Sequence, residues 1–372
     1  MSFFESLETL VDNRKDINLE YELLDIVFLT MAAVLSGAKG WKDIKIFGDA
    51  QLSWLRQYRK FSNGIPTRHS IGRIIRGIKA DSFVECFVQW INQLREKNGL
   101  PHIAFDGKVL RGSKHTNINA LQLMTAMVVD SGLIIYQKET DSKTNEIPVM
   151  QSMLSSMEIK GAVISADAIH CQTKTTELAI DGGADYVLQV KENQKNLFQE
   201  IKAFFHKYDR DDPQLLEQNH YQELDGEHGR INERHYRILP VTNWLTGTNK
   251  FKACHSVVEV NRTRIIKEKI QQETSYYITS LAAEVKPVAE VIRKHWHIEN
   301  CQHWVLDVAF REDECQVYAE DGARNLASMR RVLLNMIKAH PLKDSVAGKM
   351  QRASWDPKFR AEILFGQKTS KV

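Results

Sequence analysis

Hydrophobic positions recur every three or four residues over roughly the first 95 positions, the spacing of helices that bury one face. Leu23–Gly37 is apolar almost throughout and predicts a buried helix stopped by Gly37. Lys39–Phe47 predicts a short amphipathic helix that turns Trp41, Ile44, Ile46 and Phe47 inward, and Ala50–Tyr58 continues the style. Ser62–Thr67 (SNGIPT) is a turn by composition. Ser70–Ile78 and Ala80–Leu94 return to helical spacing. Arg68, Arg73, Arg76 and Lys79 make this region basic, which suits either a solvated face or one that neutralises DNA phosphates.

The pattern changes after Gly99-Leu100-Pro101. His102–Leu110 predicts a strand with a polar stop at Asp106-Gly107. Leu121–Asp130 and Leu133–Glu139 predict two more, joined by Ser131-Gly132 as a hairpin. Glu146–Met157 predicts a helix with Pro148 in its first turn. Ala162–Ile169 predicts a fourth strand, Thr173–Asp181 a helix ended by Gly182-Gly183, Ala184–Lys191 a fifth strand and Asn193–Tyr208 a further helix. Three consecutive strands followed by alternating helices and strands predict an α/β fold, a ribonuclease-H-like mixed sheet flanked by helices.

Residues 209–285 break that alternation. HYRILPVT, ACHSVVEVNRTRIIK and ETSYYITSL are rich in β-branched and aromatic residues and predict a β-rich insertion. From Val288 to about His340 the spacing is helical again, and Leu342–Val372 carries basic residues, a break at Pro357 and a weakly ordered end. The organisation expected is a helical N-terminal domain (1–95), a catalytic domain (100–340) with its insertion, and a C-terminal tail (341–372).

Composition narrows the class only a little. The 372 residues are 43% hydrophobic and 26% charged, ordinary for a globular protein. A net charge of +3 permits a nucleic-acid partner without demanding one. Five scattered cysteines with no CxxC pair argue against a secreted disulfide framework or a zinc ribbon. The N-terminus lacks a signal pattern, and the longest apolar run is too short to span a bilayer. A cytoplasmic protein is expected.

The candidate chemistry lies in carboxylates. Asp106 follows Ile103-Ala104-Phe105, and Asp167 follows Val163-Ile164-Ser165-Ala166. Two apolar strands ending in carboxylates would present them together at the sheet's edge, where ligands bind. Two such charges repel, and a divalent cation resolves the conflict. Capping of a turn is the plainer role for either alone. A third carboxylate is Glu299 in RKHWHIENCQHWVLDVAF, which predicts one helix with Trp296, Glu299, His303, Leu306 and Phe310 on one largely buried face. Asp307 is its rival, while Glu312, Asp313 and Glu314 read as a solvated acidic turn. Three carboxylates with two Mg²⁺ or Mn²⁺ ions suit in-line displacement at phosphorus. The tryptophans Trp296 and Trp304 fit core packing, with stacking on a flipped base as the other use.

Four stretches make the pattern specific: LLDIVFLTMAAVLSGAKGWKDI with the downstream NGIPTRHSIGRI; IAFDGKVLRGS; ISADAIHCQ followed by GGADYVLQVKENQ; and HWHIENCQHWVLDVAFRED. Through them nearly the whole chain resembles the DDE transposases of insertion sequences, the family that includes the bacterial H-repeat-associated proteins. The resemblance implies metal-dependent DNA cleavage and strand transfer at terminal inverted repeats, with Asp106, Asp167 and Glu299 as the catalytic and metal-binding triad. It implies double-stranded DNA as partner and a homodimer or larger synaptic complex. Lys108, Arg111, Lys191, Arg230 and His295 are candidate DNA contacts, Lys191 foremost because the family's VKxNQ stretch falls there. The chain departs from the related Tyr…Arg…Glu…Lys pattern with His295 at the Arg step and Leu306 at the Lys step. In HGRINERHY, Asn232 stands where Glu is expected, and Thr67-Arg68-His69-Ser70 replaces Ser-His-Asp-Thr. Two other readings share these carboxylates: a degenerate copy that binds DNA without catalysis, and a ribonuclease-H-like nuclease.

Overall fold

The computed structural model describes residues 3–14, 19–94, 101–116, 119–140, 146–227, 230–266, 269–318 and 320–366. Five helices come first: α1 (Phe3–Ser6), α2 (Leu23–Leu35), α3 (Trp41–Leu55), α4 (Arg68–Arg76) and α5 (Ala80–Leu94). Helix α2 is buried along nearly its whole length, as its unbroken apolar run requires. Helix α3 begins at Trp41 and runs through to Leu55, so the two short helices expected there are one.

Then come β1 (His102–Leu110), β2 (Leu121–Val128), β3 (Leu133–Thr140), α6 (Glu146–Ser156), β4 (Val163–Ala166), α7 (Thr173–Asp181), β5 (Asp185–Val190), α8 (Lys195–Asp211) and α9 (Pro213–Gln218). Strands β6 (His220–Glu227), β7 (Arg230–Pro240), β8 (Ser256–Ile266) and β9 (Lys269–Thr279) follow. The nine strands form one sheet in the order β3-β2-β1-β4-β5-β9-β8-β7-β6. β1, β2 and β3 pair antiparallel, whereas β4 lies parallel to both β1 and β5. This is the ribonuclease-H-like core that the alternation predicts.

The β-rich insertion widens this sheet. β9 pairs antiparallel with β5 from Val187–Thr279 to Val190–Tyr276. An unpaired strand edge offers a row of free backbone donors and acceptors, and the returning insertion satisfies the outer edge of β5. Helix α10 (Val285–His295) then covers the far side of the join, burying Val288, Ala289 and Ile292 on Val163, Val187, Tyr236, Ile238, Val258 and Val260.

After α10 the chain forms a π-helical turn (Glu299–His303), α11 (Trp304–Val308), α12 (Glu320–Ala339), α13 (Val346–Trp355) and α14 (Pro357–Phe365). The stretch expected as an irregular tail is therefore helical as far as Phe365. Two of its basic residues, Lys349 and Arg360, are used internally. Arg360 stacks over Trp54 at 4.1 Å and donates to Gln51, and Lys349 donates to the carbonyls of Ile337 and His340. One continuous apolar core runs from Phe3 through the sheet to Leu364. No helix among the described residues is long and apolar enough to cross a membrane.

The acidic stretch 312–314 departs most from expectation. Glu312 is buried against Arg331 of α12 at 2.9 Å, and both side chains are fully excluded from solvent. Asp313 accepts the Arg111 N–H at 3.0 Å, and Glu314 pairs with Lys39 at 2.6 Å. Three consecutive acids thus bind α12, the end of β1 and the N-terminal helices to one turn. The backbone approach is close enough that a Cβ at Gly112 would lie 2.4 Å from the Asp313 carbonyl oxygen. Adjacent acids read as solvated because sequence does not reveal a buried guanidinium 19 residues away. Replacing Glu312 by Gln leaves Arg331, and Arg330 3.8 Å away, without a counter-charge. A loss of about 3–5 kcal/mol is expected from urea unfolding midpoints. A loss under about 1 kcal/mol would show that the turn does not depend on this pair.

Candidate active site

The site begins where two strands part. β1 and β4 are paired in parallel from His102–Val163 to Phe105–Ala166, and the next residue on each is an aspartate, Asp106 or Asp167. Parallel neighbours are spaced by ~4.8 Å, so both carboxylates spring from adjacent backbone positions. Asp106 does not end its strand. β1 continues to Leu110 against β2, with Asp106 opposite Thr125. The polar stop marks only the end of the β1–β4 ladder. Asp167 ends β4 and opens a tight turn (Ala168–His170), but its side chain caps nothing there.

Charge is crowded at this point. Burial, then the Asp167 carboxylate, push Asp106 up to about 8, with Glu299 and Glu146 acting in the same direction. Asp167 is held below the ordinary carboxylate range by the His295 imidazole 3.7 Å away, and Lys191 adds to this. His303 Nδ1 lies 3.4 Å from Asp106 Oδ2. Burial, then Lys108, push His303 down to about 3, which keeps its ring neutral.

Glu146, at the start of α6, is a fourth carboxylate that sequence reasoning missed. It accepts from Gln122 and stands 3.6 Å from His170. A Cβ at Gly107 would come within 2.5 Å of its Oε1. The available signal was the glycine directly after Asp106, which leaves room for a neighbour.

Glu299 opens the π-helical turn, so the single helix expected over Arg293–Phe310 is interrupted there. π-turns concentrate at functional sites because they re-aim side chains at the cost of regular hydrogen bonding. The break has a visible consequence. Leu306 and Phe310 are buried as the spacing predicts, but Glu299 is exposed, as are Trp296 (42%) and Trp304 (62%). Core packing is thus excluded for both tryptophans. The rival acid Asp307 is paired with Lys108 at 2.6 Å, whereas Glu299 is close enough for its charge to act on Asp106, as Glu146 also does. Lys338 of α12 braces the turn by donating to the carbonyls of Cys301 at 2.9 Å and Gly132 at 2.8 Å.

The five candidate DNA contacts separate clearly. Lys108 is buried and committed to Asp307. His295 is held by Ser165 Oγ at 2.8 Å, itself bonded to His102 at 2.6 Å. Neither is presented to a strand. Arg111 is 85% exposed at the end of β1. Lys191 is exposed beside Asp167 and lines a groove of about 760 Å³ that also contains Glu299 and Trp296. Arg230 opens β7, and its side chain lies outside the described residues. The arginines of that groove, Arg234, Arg262, Arg264 and Arg293, were not singled out together because three separate elements, β7, β8 and α10, bring them there.

The donor set suits a hard divalent cation: oxygen ligands, like charges pressed together and a protonation-prone Asp106. Among the described residues no three His, Cys, Asp or Glu side chains form a ready-made cation cage. Mg²⁺ is usually held by one or two protein carboxylates, with water and phosphate completing its shell.

Residues 4–91 match the family model for the DDE transposase-associated domain, and residues 97–336 match the transposase DDE domain. The chain belongs to the DDE transposase family. The "H repeat-associated putative transposase YhhI" of Escherichia coli K12 is 34% identical over 97% of both chains. The "Putative transposase YncI" of Escherichia coli O157:H7 is 30% identical over 98% of this chain and 94% of that one. A shorter relative from strain K12, "Inactive transposase YbfQ", is 42% identical over 19% of this chain. A solved piggyBac transposase synaptic complex with hairpin DNA aligns over 99% of this chain and 82% of that one, at 10% identity and a TM-score of 0.46, too loose a likeness to build on.

In this transposase family member the turn carrying Glu299 depends on Lys338, which burial pushes down to about 8 from its ordinary 10.5. Lys338→Met strips two carbonyls of their donor and is expected to cost about 1–3 kcal/mol. The unfolded chain binds the proton more tightly between pH 8 and 10.5, so wild-type stability should rise relative to the variant across that window and run parallel below it. Melting curves of both proteins at stepped pH test this, and parallel curves throughout would mean Lys338 is not buried as described.

Proposed function

We propose that this chain is a DNA transposase of the insertion-sequence kind that cuts and joins DNA at the terminal inverted repeats of its element. Its reactive carboxylates are Asp106, Asp167 and Glu299, with Mg²⁺ or Mn²⁺ as cofactor. Family membership over both domains supports the transposase reading. The observation that carries the assignment of residues is the meeting of Asp106 and Asp167 where the β1–β4 ladder stops, with Glu299 turned outward nearby by the π-turn.

Divalent cations bound by these carboxylates would supply activation of a water or 3′-hydroxyl and stabilisation of the leaving oxygen at phosphorus. The chain's own residues set the stage. Asp167 is ionised and oriented through His295 and Ser165. Asp106 is crowded enough that a cation relieves it. Neutral His303 holds Asp106 from the other side without competing as a charge. Lys191 stands at the groove beside Asp167, placed to meet a phosphate. Two ends of one element must be joined in a single event, so a homodimer or larger assembly on double-stranded DNA belongs to the proposal, as does action in the cytoplasm.

One observation favours the degenerate reading. The position that the resemblance gives to an arginine is His295, which bonds Ser165 rather than facing the groove. The same assay decides. Purified protein with Mg²⁺ or Mn²⁺ is given labelled DNA carrying the repeats that flank its gene, with Asp167→Asn alongside. Wild type is expected to cut at the repeat end and join the 3′ end to target, and the variant to fall to the metal-free background while melting like wild type. Cutting without joining would favour a nuclease. Binding without cutting by both proteins would favour the degenerate copy.

A further inference from the structure

The widened sheet carries an arrangement that folding alone does not reward. On the face it turns toward α10, β6 to β9 align the cross-strand row Glu223, Arg234, Arg262, Glu273. Arg234 and Arg262 are directly opposite each other, and like charges so placed are destabilising. The next row brings Arg264 opposite Asn232, and α10 adds Arg293 to the same groove.

The acids there are already taken. Asp225 pairs with Arg234 at 2.6 Å and Arg293 at 3.1 Å. Glu223 stands 3.9 and 3.8 Å from the same two guanidiniums. That leaves Arg262, Arg264 and Lys191 facing Glu273 and, at the groove's end, Glu299. The Nε atoms of both Arg262 and Arg264 are buried without a hydrogen-bond partner among the described residues. Among the described residues Arg262 donates one hydrogen bond, a long 3.5 Å contact to Asn232. Burial, then Arg234 and Arg264, hold its guanidinium below its ordinary range, and Glu273 across the strand offsets them only in part. The groove holds about 760 Å³, and Trp296 lies 42% exposed in it beside Glu299.

We propose that this groove binds a DNA phosphodiester backbone through Arg262 and Arg264, and leads that strand to Glu299. The proposal rests on the transposase reading above, but it assigns a substrate path to residues outside the triad and outside the motif positions. Guanidinium forks suit phosphate oxygens because two N–H groups meet two oxygens at once. A bound backbone would give Arg262 and Arg264 the missing anion and remove the like-charge opposition across β7 and β8. Arg234 and Arg293, already held by Asp225 and Glu223, form the wall that orients them. The same chemistry is offered by a single strand or by one strand of a duplex.

The test is equilibrium binding of the full chain in EDTA to a fluorescein-labelled duplex of arbitrary sequence and to one of its strands alone, across a salt series. The proteins are wild type, Arg262→Gln/Arg264→Gln and Arg262→Lys/Arg264→Lys, each checked by melting curve. The glutamine variant is expected to bind roughly tenfold or more weakly at moderate salt. Its log–log salt slope should be shallower by about 1.8 if the groove takes a duplex strand, or about 1.4 if it takes a single strand. The lysine variant keeps the charge and should keep the slope, with weaker binding. Wild-type slope and affinity in the glutamine variant, while wild type itself binds, would overturn the groove and leave the transposase reading standing. Failure of wild type to bind either form would overturn both.

Discussion

Parallel pairing between β1 and β4 stops at Phe105 and Ala166, and the chemistry of the molecule depends on where it stops. One residue further on each strand is an aspartate, and past that point the backbones separate while β1 keeps its partner β2. The two side chains therefore leave a rigid sheet at neighbouring positions, in a partly desolvated notch where their charges cannot both be comfortable. The side chains around them act on that constraint in both directions. His295 and Lys191 favour the charge on Asp167, His303 packs neutrally against Asp106, and Glu146 adds a fourth carboxylate across from Gly107. Such crowding costs stability unless a cation or a proton shares the site.

Glu299, the proposed third carboxylate, is positioned by different means. Glu299 belongs to a helix–turn–helix segment whose regular winding would bury it with Leu306 and Phe310. The π-turn rotates it outward, and that irregular backbone is held in place by Lys338 and, a few residues on, by the Glu312–Arg331 pair. Helix α12 provides both braces and also packs on the N-terminal helices. The N-terminal helices, the sheet and the segment that follows the π-turn, through Leu306 and Phe310, thus share one continuous core, so a substitution in α12 can disturb the turn without touching it.

Much of this was legible in the sequence. Strand and helix periods located β1 to β5 and their intervening helices to within about three residues, with the fourth strand expected to run to Ile169 but ending at Ala166, because each is either buried on both faces or amphipathic with clear Gly and Pro boundaries. Asp106 and Asp167 were legible because an apolar run followed by a carboxylate is a local signal. What failed was non-local. The outward turn of Glu299 and the two tryptophans depends on one extra residue in a helical repeat, which spacing does not show. Glu312 looked solvated among other acids, and its partner lies on another helix. Lys108 and His295 looked like free cations until Asp307 and Ser165 were found against them. Arg262 and Arg264 sat in a strand-like stretch whose partners in the sheet could not be known.

In the proposed function, Asp106, Asp167 and Glu299 together hold the cation at which DNA is cut. The most direct measurement is anomalous diffraction from crystals of the full chain grown with Mn²⁺ and a nicked duplex ending in the flanking repeat. Manganese is expected to be bound by Asp106 and Asp167, with Glu299 turned onto the site and a phosphate oxygen in the shell. Manganese seated on Asp307 or Glu146, with Asp167 making no contact to it, would contradict it.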